Sequence, residues 1–196
     1  SWYRRQRQMC IRDRLNDDKS NISTLGYLGK LNKNKGIEDL IDVYEKLLKK
    51  ENFNKLEPNL LIGGVGSKNY IRSINKRISN KNIQFLGYVE DRYNFFNSIK
   101  VFIFPSYSEG LGLVLLEAMS HGVLCITRDV TPMNSIIKNG ENGFLFKDNN
   151  ELIEKIEKAI NLNSSEKDKI VKSALEKIEK SYSIMQMYLS IDKAYN

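Results

Sequence analysis

The stretch Phe104-Pro105-Ser106-Tyr107-Ser108-Glu109-Gly110-Leu111-Gly112-Leu113-Val114-Leu115-Leu116-Glu117-Ala118-Met119 decides the fold. The apolar run Val101-Phe102-Ile103-Phe104 leads into it and reads as a buried strand. The chain then turns through Pro105, Gly110 and Gly112, and a helix is expected from about Leu111 to His121. A strand end, a glycine-rich turn and a helix N-terminus brought together are a common seat for an anion. Glu109 lies before the helix and faces the cleft; Glu117, with seven residues between the two, lies inside the helix. A carboxylate on a helix otherwise made of Leu113, Leu116 and Met119 needs a partner.

Strands and helices alternate on either side of this stretch. Residues 23–29 read as the first strand and Lys30 to Lys35 as a polar turn. Ile37, Leu40, Ile41, Tyr44, Leu47 and Leu48 then fall at helical spacing, so Gly36 opens an amphipathic helix. Asn59 to Gly63 is a second strand, closed by Gly63-Gly64-Val65-Gly66, with a helix over about Asn69 to Ser79. A third strand, Ile83 to Leu86, ends in Gly87-Tyr88-Val89, and Asp91 caps a short helix carrying Tyr93, Phe95 and Phe96. Beyond the central stretch come a strand at Val123–Thr127, a short helix at Met133–Lys138 and a strand at Phe144–Phe146. Helices around Leu152–Ile160, Ile170–Lys180 and Ile184–Tyr195 close the chain. This alternation predicts an α/β fold: a doubly wound parallel sheet of about six strands with helices on both faces.

The net charge of +7 over 196 residues suggests a nucleic-acid or membrane partner, but its distribution argues otherwise. Residues 1–14 hold five Arg and one Asp, whereas the other 182 residues carry only +3, with 22 Lys and four Arg. Residues 1–14 resemble a translated sequencing-adapter tail and are set aside as non-native. Residues 15–22 read as linker, 23–180 as the folded domain and 181–196 as a C-terminal helix. Without the tail, no interleaved aromatic and basic stripe is left for a nucleic acid. With the tail's cysteine set aside, Cys125 has no partner, so there is no disulfide framework, and a lone His121 cannot make a metal site. Both read as structural. The unpaired Cys125 fits a reducing cytoplasm, and no apolar run approaches a membrane span.

Glu109 and Glu117, with Gly110, Gly112 and Ala118 in place, resemble the E-x7-E signature of retaining, nucleotide-sugar-dependent glycosyltransferases of the GT-B kind, which have two Rossmann-like domains. The resemblance runs from about residue 23 to the C-terminus and corresponds to the donor-binding, C-terminal half of such an enzyme. Gly29-Lys30-Leu31 with Lys35-Gly36 resembles the family's diphosphate-holding loop, with Lys30 where the family has Arg. Lysine keeps the charge but loses the two-pronged grip on phosphate. The resemblance further implies that Gly110, Leu111, Gly112, Leu113 and Val114 present backbone to sugar and phosphate. It gives Glu117 the ribose hydroxyls, Glu109 the donor sugar as the catalytic-site carboxylate, and the backbone of Val89 the base.

The expected activity is transfer of a sugar from a nucleoside-diphosphate sugar to an acceptor hydroxyl, with retention and without a metal or other cofactor. The resemblance also implies a preceding acceptor-binding domain, peripheral membrane contact through that domain, and a role in polysaccharide or lipid-linked glycan synthesis at the inner membrane face. The chain by itself is then expected to bind donor nucleotide weakly and to transfer nothing. Two other readings stay open: a nucleotide-sugar epimerase of the same architecture, and a non-catalytic nucleotide- or partner-binding domain in which the pocket has drifted.

Overall fold

A computed structural model describes residues 24–182. The expected tail (1–14), the linker (15–22) and the helix from Ile184 to Tyr195 lie outside the described residues. Within them the chain runs β1 (Thr24–Leu28), a 3-10 turn (Lys33–Lys35), α1 (Ile37–Leu48), α2 (Glu51–Asn54) and β2 (Asn59–Gly63). It continues through α3 (Lys68–Asn75), β3 (Ile83–Gly87), α4 (Arg92–Ser98), β4 (Val101–Phe104) and α5 (Leu113–Ser120). Last come β5 (Leu124–Arg128), α6 (Met133–Ile136), β6 (Phe144–Phe146), α7 (Asn149–Asn161) and α8 (Ser164–Ser181).

The six strands form one parallel sheet in the order β3-β2-β1-β4-β5-β6. The sheet grows outward from β1 in one direction and from β4 in the other. Right-handed crossovers therefore put their helices on opposite faces. Accordingly α1 packs beside α7, and α5 beside α8. β4 and β5 are buried along their whole length, as strands covered on both sides must be. Tyr27, Phe102, Phe96, Ile41, Leu60 and Phe146 are among the residues fully enclosed between the layers.

The elements match the expected order, and their boundaries shift for local reasons. α5 starts at Leu113 rather than Leu111 because Gly112 takes a left-handed backbone (φ 68°), which a helix interior does not accept. α3 ends at Asn75, short of the expected Ser79. The following residues are instead tied to α1, with Arg77 paired to Asp42 and the Ser79 amide donating to Glu45. α8 begins six residues before Ile170, because Asn163 and Glu166 form a reciprocal capping box. The short α2 was not expected; it buries Phe53 edge-on against Tyr44.

One contact fixes the two central loops against each other. Gly36, at φ 66°, lies against the end of β4, where a Cβ would sit 2.3 Å from the Pro105 carbonyl oxygen. Both the backbone conformation and the missing side chain are therefore required. Gly36→Ala is expected to lose at least about 2 kcal/mol of stability in urea unfolding. A variant as stable as the parent would show that this approach is slack.

Candidate functional site

β1 and β4 are neighbours whose following loops leave in opposite directions, so the sheet opens a crevice between them at its C-terminal edge. The loop after β1 carries Lys30 and Lys35; the loop after β4 carries Glu109 and leads into α5. The two loops are joined. The Tyr107 amide donates to the Asn34 carbonyl at 2.9 Å, and the Ser106 hydroxyl lies 3.4 Å from the same carbonyl oxygen. Lys35 completes the junction. Its Nζ donates to Glu109 Oε1 at 2.7 Å and to the Ser108 carbonyl at 3.1 Å. These side chains are 20% and 16% exposed, so the pair is screened less than a surface salt bridge.

No side chain caps α5, and the first bonds into it come from Leu115 and Leu116 back to the Gly112 carbonyl. The Leu113 and Val114 amides are therefore left as donors at the helix mouth. A Cβ on Gly112 would lie 3.0 Å from Met133 Sδ, so α6 backs the turn. Gly110 and Leu111 belong to the exposed approach to the helix.

Glu117 has its partner. Arg92, the first residue of α4, donates through Nη1 to Glu117 Oε2 at 2.9 Å. Lys30 is exposed; its backbone carbonyl accepts from the buried Tyr27 hydroxyl at 3.0 Å. Tyr27's pKa is pushed up mainly by burial and also by the negative charge of Glu109. Val89 turns its side chain over Gly63 at the end of β2, packed on the core, while the adjacent Tyr88 is exposed. The structure thus joins Lys35 to Glu109 directly. It places Glu117, Val89, Lys30 and the α5 amides on the same sheet edge without side-chain bonds to that pair. His121 and Cys125 are structural, as expected. The His121 ring packs on Phe96 with centroids 5.1 Å apart, and the Cys125 thiol is fully buried, which pushes its pKa up.

Sequence reasoning missed the cluster behind the Glu109 loop. Arg128, at the end of β5 and buried, donates to Asp39 Oδ2 at 2.7 Å, to the Pro105 carbonyl at 3.1 Å and to the Lys147 carbonyl at 3.1 Å. The Tyr107 ring covers its guanidinium at 3.9 Å, with Phe146 at 4.9 Å. The Tyr107 hydroxyl donates to the same Asp39 oxygen, which pushes the phenol's pKa up. The cluster ties α1, β5 and β6 to the loop that carries Glu109. The available signal was composition: among 22 lysines, an arginine at a strand end marks a place where a planar fork is needed.

A separate hollow of about 380 Å³ lies between α6, the turn after it and α8, lined in part by Asn134, Lys138, Asn142, Ser173 and Lys177. None of the expected site residues lines it. Among the described residues, no group of three or more His, Cys, Asp or Glu is placed to hold a metal ion. Nor is any helix among them long and apolar enough to cross a membrane.

The family model described as glycosyl transferases group 1 matches residues 12–177. The capsular polysaccharide biosynthesis glycosyltransferase CapM of Staphylococcus aureus is 32% identical over 176 residues, which cover 88% of this chain and 45% of CapM. The chain spans about half the length of the curated relatives it matches. Among solved structures, S. aureus TarM, crystallised with UDP, fondaparinux and an α-GlcNAc-glycerol, superposes with a TM-score of 0.79 at 24% identity. That match covers 92% of this chain and 36% of TarM. The C-terminal domain of a group 1 glycosyl transferase from Francisella tularensis superposes with a TM-score of 0.69 at 22% identity, covering 91% of this chain and 93% of that domain.

The Asp39–Arg128 contact predicts an order of stability losses. Asp39→Ala leaves a buried guanidinium short of its counter-charge and is expected to cost about 2–4 kcal/mol. Tyr107→Phe removes one hydroxyl bond and is expected to cost about 1 kcal/mol. Chemical denaturation of both variants checks the order; equal losses would contradict the central place given to Arg128.

Proposed function

The chain belongs to the glycosyl transferases group 1 and folds as the C-terminal domain of a GT-B enzyme, and from that premise we propose that it is the donor-binding half of a retaining glycosyltransferase. The observation that carries the reading is the junction of Lys35 and Glu109 at the switch point, beside the uncapped N-terminus of α5. A nucleoside diphosphate needs cations and amide donors at one end and a carboxylate for the ribose at the other. Lys35, Lys30 and the Leu113 and Val114 amides supply the first; Glu117 supplies the second.

In the proposed reaction, the bond between the sugar's anomeric carbon and the diphosphate oxygen breaks, and its electron pair leaves with the diphosphate. The acceptor oxygen bonds to that carbon and passes its proton to the departing diphosphate, with retention of configuration. Negative charge grows on the departing diphosphate. Lys35 and the α5 amides meet it in fixed positions, so little reorganisation is needed during the step. This assignment gives the charge stabilisation to protein groups rather than to a metal. Lys35 now holds Glu109, so a bound diphosphate takes over part of its hydrogen bonding. Glu109 is then left to face the donor sugar, holding its hydroxyls and stabilising positive charge at the anomeric carbon.

The acceptor site is assigned to a domain outside this chain, and that domain would carry any peripheral membrane contact. A cytoplasmic setting and a role in envelope polysaccharide or lipid-linked glycan synthesis fit the capsular relative and remain part of the proposal.

Calorimetry on the chain with nucleoside diphosphates and their sugars tests the roles separately. Lys35→Ala is expected to weaken diphosphate binding by about tenfold or more. Glu109→Gln is expected to leave the diphosphate affinity nearly unchanged while removing any extra affinity for the sugar-bearing form. If the parent chain binds no nucleoside diphosphate, the non-catalytic reading replaces this one.

A further inference from the structure

We propose that Arg92 is a positioning residue for the nucleoside end of the donor, holding the Glu117 carboxylate where it can take the ribose hydroxyls. The proposal rests on the donor-binding reading above. It starts from packing between α4 and α5. Phe96 lies one helical turn after Arg92, and His121 lies one turn after Glu117. The Phe96 and His121 rings meet with centroids 5.1 Å apart, and Tyr93 adds a second ring edge-on to His121 at 5.9 Å. The His121 ring is itself fixed, its Nδ1 lying 2.9 Å from the Glu117 carbonyl oxygen. This aromatic layer sets the register of the two helices. One turn above it, the same register brings Arg92 and Glu117 together at 2.9 Å.

The geometry of the pair leaves room for a ligand. Arg92 engages only Oε2 of Glu117, through Nη1; no hydrogen bond from the described residues reaches Oε1. Glu117 remains 29% exposed and Arg92 48% exposed, so the pair lies at the rim of the crevice. A carboxylate held by one oxygen and open at the other suits a vicinal diol, which brings two O–H donors. Arg92 is also five residues beyond Gly87, where the loop after β3 begins, and the resemblance places the base against that loop. The pair is too exposed to hold the fold together: rim ion pairs contribute about 1 kcal/mol or less. A local positioning role is therefore separable from stability.

The test uses the intact chain. Titration with UDP, GDP and ADP first identifies the diphosphate that binds, and the 2′,3′-dideoxy form of that diphosphate is then compared with it. The parent is expected to prefer the ribose form by about tenfold or more. Arg92→Ala is expected to cut that preference to about threefold or less, with affinity for the dideoxy form nearly unchanged and the melting temperature within about 3 °C. Arg92→Lys should restore part of the preference, because it keeps the charge without the fork. Full preference in Arg92→Ala would overturn the proposal, as would an equal loss for both forms, which marks a phosphate or fold contact. Two parent results bear on the underlying reading instead. No diphosphate binding would overturn the donor assignment, and equal binding of both forms would overturn the ribose role of Glu117.

Discussion

The structure depends on β1 and β4 lying side by side although two strands, β2 and β3, come between them in the chain. That adjacency makes the crevice, because the loops leaving the two strands must diverge to opposite faces. It also makes Gly36 obligatory, since α1 starts where the Pro105 carbonyl already lies. Lys35 is then fixed one residue before that glycine, and its ammonium reaches Glu109 across the junction. Separate parts of the sequence thus become one charged group of atoms because of backbone packing, and the ion pair is a consequence of that packing rather than its cause.

Charge pairing runs through the whole rim. Glu109 is met by Lys35, Glu117 by Arg92 and Asp39 by Arg128. The three pairs differ in depth, and depth decides what each does. Arg128 is 7% exposed, so its partner and its carbonyl contacts make it a structural clamp for the loop carrying Glu109. The cations on the two glutamates are shallower, Lys35 at 20% and Arg92 at 48%, so both pairs are within reach of a ligand. The resemblance gives the site residues to the rim and none to the clamp, and the clamp is what makes the loop's geometry fixed before any ligand arrives.

Much of this was legible in the sequence, for definable reasons. Strands show as short apolar runs, and β1, β2 and β3 are closed by glycine, at Gly29, Gly63 and Gly87. The order of elements follows. The stretch from Phe104 to Met119 gave the site because strand, turn and helix are contiguous there. Helix ends were read less well. The expected helix includes Gly112, yet α5 begins one residue after it, and apolar spacing does not mark the cap at Asn163 that Glu166 completes. Arg92 and Arg128 were missed because their partners lie 25 and 89 residues away, and periodicity carries no information at that range. Lys30 and Lys35 share one expected role, on the diphosphate; only the fold distinguishes the exposed one from the one bound to Glu109.

A crystal structure of the chain with the nucleoside diphosphate it binds tests the central claim most directly. The account predicts the diphosphate at the mouth of α5, with oxygens within hydrogen-bonding distance of the Leu113 or Val114 amide and of Lys35 Nζ. A diphosphate seated in the hollow between α6 and α8, or one that leaves the crevice between the β1 and β4 loops empty, would contradict it.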